Sequence, residues 1–418
     1  MIHNLPPMKV WLLFAALQVP VILLFGESPD IPGESGSEAS RLPYRIADTN
    51  QTAFFNNSGE IQRPELEEPF YGQDAHFPGN RPDYRSLSDE RIQDKVTGLI
   101  WQKGYRVMTL KEAQKELERL NKSDPGWRIP SIKEAYSLID FSGVDPSGPP
   151  PFRMADAHPF IDDGVFDFQY SANGPRPIDA QMLTSTIYRG RTMGHNDTVF
   201  GVNFADGRIK GYPIKHPRGE MRFMVRFVRG NPAYGKNIFN DNGDGTITDS
   251  ATGLMWAQAD SGKGMNWPNA LDYAKKMNKQ KYLGYTDWRV PDAKELHSIV
   301  DYSRSPQKDN SPALNPIFKI NKIIGEDGKE RWPYFWTSTT HRSIRGGQSA
   351  VYFAFGEALG YFSPPHSGRA PQLMDVHGAG AQRSDPKIGD PADYPRGRGP
   401  QGDVIRINNY VRLVRSAP

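Results

Sequence analysis

The chain has 418 residues, 37% hydrophobic and 11% aromatic, and a formal net charge of +3 from 51 basic and 48 acidic side chains. That balance is globular and makes no electrostatic case for nucleic acid as a partner. There is no cysteine, which excludes disulfides, thiolate catalysis and cysteine-ligated metals together.

At the N-terminus, Met8-Lys9 precedes an apolar run over 10–25, closed by Gly26-Glu27-Ser28. A positive charge, a short apolar run and a polar exit resemble a secretory signal. The run falls short of the ~20 residues of a bilayer span, and Gln18 and Pro20 interrupt it. Residues 1–26 are expected to be an export signal or an N-terminal anchor. The protein is then periplasmic, extracellular or on the cell surface, and any membrane association runs through that segment. Over 27–85, Pro, Gly, Ser, Asn and Glu dominate and no period persists, which predicts a linker or a mostly extended arm. Phe54-Phe55 and Phe70-Tyr71 are candidates to pin it to a domain.

A first domain is expected over 86–230. Residues 97–102 read as a strand. Thr109-Leu110-Lys111-Glu112 has the form of a capping box, and Leu110, Ala113, Leu117 and Leu120 then mark one helical face. Ser131-Ile132-Lys133-Glu134 opens a second helix. After a Pro/Gly-rich stretch over 143–177, strands are expected at 182–187, 199–204 and 223–228, with Asp206-Gly207 as a hairpin turn. A second domain over 231–418 repeats the plan. Strands are expected at 246–248 and 253–256. Asn266 and Asp292 are placed to cap helices, and further strands are expected at 335–339, 350–355 and 407–414.

The repetition is literal. Thr97-Gly98-Leu99-Ile100-Trp101 returns as Thr252-Gly253-Leu254-Met255-Trp256, and Trp127-Arg128-Ile129-Pro130 as Trp288-Arg289-Val290-Pro291. Thr184-Ser185-Thr186 returns as Thr337-Ser338-Thr339, and Val225-Arg226-Phe227-Val228-Arg229 as Val411-Arg412-Leu413-Val414-Arg415. What both copies keep is expected to be scaffold. What one copy has alone is the better place to look for function.

These motifs, with Asp241-Asn242-Gly243-Asp244-Gly245-Thr246 and Glu295-Leu296, resemble the Lcl C-terminal domain family, exported bacterial domains named for a collagen-like adhesin. Arg128 to Glu134 is similar to the Arg-Leu-Pro-Thr-x-x-Glu signature of formylglycine-generating enzymes. The resemblance implies an α+β fold of two tandem C-type-lectin-like domains, each with two helices packed on a mainly antiparallel sheet. It also implies binding of glycans, sulfated polysaccharide included. A fold of this kind hosts lectins, receptors and enzymes, so it does not fix the activity.

Trp101, Trp127, Trp256 and Trp288 are expected in the core rather than as sugar platforms, because they recur at matched positions beside apolar residues. Arg128 and Arg289 are expected to pair with nearby acids, and Glu134 and Glu295 to serve capping boxes. Asn240, Asn242, Asp244 and Thr246 fall on calcium-loop spacings. Position 12 is Ala251, so Asp249 would have to complete a weak site; an Asn/Asp/Gly hairpin is the plainer reading. Calcium is the cofactor this segment would take.

The second copy alone carries a long insert over 363–404, with Asp375, His377, Arg383, Asp385 and Lys387 as candidate ligand-binding residues. Gly378 and Gly380 are expected to let a ligand approach backbone N–H groups. Asp375 and His377, with His341 or His366, would be the metal ligands of an enzyme. The alternative is a structural loop packed over the neighbouring domain. In the first copy, Arg191, His195, Asn196 and Asp197 form a further candidate loop. No Ser-His-Asp, HExxH or phosphate-loop pattern occurs. The favoured reading is a non-catalytic binding or adhesion protein for a polysaccharide or surface partner. A metal-dependent enzyme using the insert and a purely structural surface protein stay open, as does the oligomeric state.

Overall fold

The computed structural model describes residues 42–87, 90–148, 153–171, 176–216, 219–364 and 368–418. The expected signal or anchor over 1–26, the start of the linker and His366 lie outside them.

The repeated motifs build repeated structure. Four-stranded antiparallel sheets form from Tyr84–Leu87, Arg91–Asp94, Leu99–Gln102 and Val228–Gly230, and again from Phe239–Asp241, Thr246–Asp249, Leu254–Ala257 and Val414–Ser416. Helix Leu110–Ser123 starts at the Thr109/Glu112 capping box, and Asn266 caps helix Trp267–Lys279. The short helices Ile132–Ser137 and Ala293–Ser298 start at the Ser131/Glu134 and Asp292/Glu295 boxes. Arg128 pairs with Glu134 and Arg289 with Glu295. Trp101, Trp127, Trp256 and Trp288 are buried, so the repeated motifs are scaffold.

Each repeat also spends an arginine on its own loops. Arg226 donates to the carbonyls of Gln102, Lys103 and Asp167, and Arg412 to those of Ala257, Gln258 and Lys319. Burial pushes both guanidinium groups down to about 10, and the carbonyl dipoles stand where a carboxylate otherwise would. The predicted strand over 223–228 breaks here, into Arg222–Val225 and Val228–Gly230 in different sheets. The predicted strand over 407–414 does not form; only Val414–Ser416 does. Ile407 takes φ 58°, a region that excludes β-branched residues from regular strands, and its N–H is held by Asp385 at 3.1 Å.

The two repeats are not separate bodies. One eight-stranded sheet runs through both, in the order Tyr334–Ser343, Gly346–Ala354, Gln382–Pro386, Arg208–Pro213, Thr198–Asn203, Gln181–Ile187, Arg222–Val225, Arg106–Thr109. The repeats meet where Gln382–Pro386 pairs antiparallel with Arg208–Pro213, at Gln382 opposite Ile209. The first of these seam strands belongs to the insert. On the Ile209 face, one core draws Ile132, Ala135 and Tyr136 from the first repeat and Ala293, Leu296 and Phe353 from the second.

Residues 42–85 depart from the linker expectation. Thr49, Gln51, Gln73 and Asp74 are buried. Gln51 exchanges hydrogen bonds with the backbone of Thr340, and Asp74 accepts from Thr49 and Thr339. Tyr44, Ala47 and Phe55 are buried as well, and Phe70 packs against the core, so isolated apolar anchors and polar side chains together hold the arm without a period.

Substituting Arg412→Leu leaves three carbonyls without their donor. The expected loss is about 2–4 kcal/mol, read by urea denaturation. Because the sheet and core are shared, the variant is expected to unfold in one transition rather than two.

Candidate functional site

The insert proves to be largely structural. Lys387 is fully buried; its ammonium lies 4.0 Å from the Trp267 ring centroid and donates to Asn56 O at 3.0 Å. Asp385 accepts from the N–H groups of Arg406 and Ile407 and from Asn409, and burial pushes its carboxyl up to about 6. Asp375 accepts from Tyr188 Oη at 2.7 Å and Gly378 N at 2.8 Å, and burial raises it to about 7. His377 Nε2 bonds Asp403 at 2.8 Å. Asp375 and His377 therefore face different partners. Among the described residues, no three His, Asp or Glu side chains gather into a metal-binding group.

Gly378 and Gly380 serve packing: a Cβ at Gly380 would lie 2.5 Å from the Tyr302 ring. Gly211 N donates to His377 O, and Met193 N to Asp375 O, both at 2.8 Å. The insert is thus packed over the first repeat. Of the loop around residue 191, Arg191 pairs with Asp197 at the surface, Asn196 exchanges backbone bonds with Thr192, and His195 is exposed.

The Asn/Asp/Gly segment is a hairpin. Asn242 donates to Thr246 Oγ1 and Thr248 Oγ1, and Asp244 accepts from Thr246. Asn240 donates to Ser250. Asp249 is buried and holds Asn237, Ile238 N and Thr252. Its counterpart Asp94 likewise holds Val96 N and Thr97 N. Asp249 is therefore a scaffold residue of both copies and is not turned toward the loop tip.

A cavity of about 460 Å³ opens at the seam. Six cations line it: Arg176, Arg208, Lys210, Arg345, Arg383 and Arg398. Three acids face them, Asp145, Asp206 and Asp403. Burial pushes His341 down to about 3, so it is neutral and the lining carries a positive excess. The pleat explains the placement. Ile209 and Gln382 share the core face, so Arg208, Lys210 and Arg383 project from the other.

The cations differ in how far they are spent. Arg208 pairs with Asp145 at 2.7 Å, and Arg176 with Asp179. Arg383 Nε meets Asp403 at 3.0 Å, but its Nη1 is buried without a partner. Lys210 is 7% exposed, packs 5.3 Å from the Tyr212 ring centroid, and has no hydrogen bond or ion pair among the described residues. Burial pushes its ammonium down to about 8, so it remains largely charged at neutral pH. Arg345 and Arg398 are exposed at the rim. Lys210 and Arg208 escaped the sequence reading. Their only signal is a pair of cations two apart in a strand, Arg208-Ile209-Lys210, where one face is core.

The Lcl C-terminal domain model matches residues 90–229 and 245–369. The chain belongs to that family and carries the domain twice in tandem. The second match ends before the seam strand Gln382–Pro386. Neither curated proteins nor solved structures gave a match.

His377 offers a pH test. Burial, with Arg383 beside it, pushes its imidazole from 6.5 to about 4, against the pull of Asp403. A depressed folded value favours the neutral ring. The contribution is full above the unfolded pKa and is lost as pH falls towards about 4. Relative to His377→Gln, the wild-type protein should lose stability between about pH 6.5 and pH 4, with no further change above that window. Urea midpoints across the range measure it.

Proposed function

We propose that this is an exported, non-catalytic binding or adhesion protein that recognises an acidic polysaccharide through the seam cavity. The observation that carries the reading is the cavity lining, where six cations face three acids and the buried Lys210 ammonium has no hydrogen bond or ion pair among the described residues. A buried charge without a partner is costly, and a cation left so in a concave site suits an anionic ligand. Family membership supports a surface role. The apolar run over 10–25 supports export, and the paired helix-and-sheet repeats support a distant likeness to C-type-lectin-like folds.

Arg345 and Arg398 are exposed and hold no ion pair among the described residues, so removing them spares the scaffold. The double variant Arg345→Ala/Arg398→Ala is expected to bind an acidic polysaccharide roughly three- to tenfold more weakly, with unchanged thermal stability. Added salt should weaken the wild type in the same direction. A glycan array or surface plasmon resonance measures this. Equal binding of neutral and acidic polymers would sink the proposal.

A further inference from the structure

The wall of the seam cavity carries more than a surplus of charge. Among the described residues, four of its polar groups have no hydrogen-bond partner: the Lys210 ammonium, Arg383 Nη1, Asp206 Oδ1 and the Ser147 hydroxyl. Their neighbours explain why they stay unsatisfied. Arg383 spends Nε and Nη2 on Asp403, which fixes the guanidinium and leaves its third nitrogen over. Asp206 offers Oδ2 to Arg208 at 3.4 Å, and its own backbone carbonyl accepts from His341. Asp206 sits in the turn between Thr198–Asn203 and Arg208–Pro213, so its backbone is fixed by the hairpin. His341 stacks on Phe160 at 5.5 Å, with 7° between the planes, and closes the other side.

Buried polar groups are paired in nearly all native structures, and an exception calls for a water, an ion or a ligand. Here the charged exceptions are of two kinds, two cationic donors and one anionic acceptor, and the Ser147 hydroxyl can donate or accept. A simple anion would satisfy the donors and be repelled by Asp206. A neutral polyol would satisfy Asp206 and leave both cations unmatched. We infer that the inner end of the cavity holds a hydroxylated acid, with its carboxylate against Lys210 and Arg383 and a nearby hydroxyl donating to Asp206. The chemical class is a sugar acid, either a uronic acid at the end of a polysaccharide or a free hydroxy acid.

This rests on the proposed binding role of the cavity and narrows it to one chemical group. The acid meets charge-assisted bonds, each about twice as strong as a neutral one. The hydroxyl supplies discrimination, because a site built to pair a hydroxyl rejects a ligand lacking one.

The test is isothermal titration calorimetry of the full chain with glucuronate, glucose and acetate. Glucuronate should bind saturably, and glucose and acetate at least roughly tenfold more weakly. Lys210→Met and Asp206→Asn should each weaken glucuronate by a similar factor. A uronic-acid oligomer binding more tightly than the monosaccharide assigns the site to a polysaccharide end; equal affinity assigns it to the free acid. Glucose matching glucuronate overturns the inference, as does acetate matching it, or no saturable response to glucuronate. The wild-type ligand series decides the matter even where a variant fails to fold. Acidic polysaccharide bound without any glucuronate response would sink this inference and leave the binding role standing. Loss of both signals would sink the two together.

Discussion

The two repeats hold each other by an exchange of lysines. Lys133 donates to the carbonyl of Ser298, and Lys294 to the carbonyl of Ser137. Both pairs are equivalent positions in the duplication, so each short helix has its C-terminal end capped by the second helical residue of the other. Cations at helix C-termini are favourable in themselves, and a charge-assisted bond in a dry interior is stronger than on a surface. Burial drives the Lys133 ammonium down to about 8 and lowers Lys294 as well. Each lysine also has a second acceptor, Asn237 Oδ1 for Lys133 and the Asp48 carbonyl for Lys294. Between them, Tyr136 meets its own counterpart His297 at 4.3 Å. The chain behaves as a dimer whose halves are covalently joined.

That exchange sets what the large sheet has to do. With the short helices locked together on one face, the strands beneath are brought side by side. The first repeat offers Arg208–Pro213 as its edge. An open edge is a liability, and the second repeat covers it with Gln382–Pro386 from the insert. The N-terminal arm then runs across both halves, with Asn50 donating to Asp140 of the first repeat and Lys387 of the second donating to Asn56 O. Closing the seam leaves the opposite face of the central strands uncovered by the two short helices, and that is where the cationic cavity lies.

The helix starts, the tryptophan core and the arginine–glutamate pairs were legible because their partners lie within a few residues. A capping box is a spacing of three, and Arg128 finds Glu134 six residues on. The insert was illegible for the opposite reason. Gln382-Arg383-Ser384-Asp385-Pro386 has no apolar alternation, yet it forms a strand. Its side chains are held by Ile209 N, Asp403 and the N–H groups of Arg406 and Ile407, none of which its own sequence announces. The packing of the arm over 42–85 was only partly legible for the same reason, since Gln51 is matched to Thr340 across 289 residues.

By itself the sequence determined the duplication, the family and the scaffold positions, because these rest on local spacing and on apolar residues that must be buried wherever the chain goes. The tertiary structure alone decided which polar residues are left for a ligand. Lys387 and Lys210 read alike in the chain, each a cation beside an isoleucine and close to a glycine. Folding brings aromatic rings and the Asn56 carbonyl to Lys387, and brings a ring but no hydrogen-bond acceptor among the described residues to Lys210. Whether a charge is spent or free depends on what packs against it from distant parts of the chain, and no local pattern encodes that.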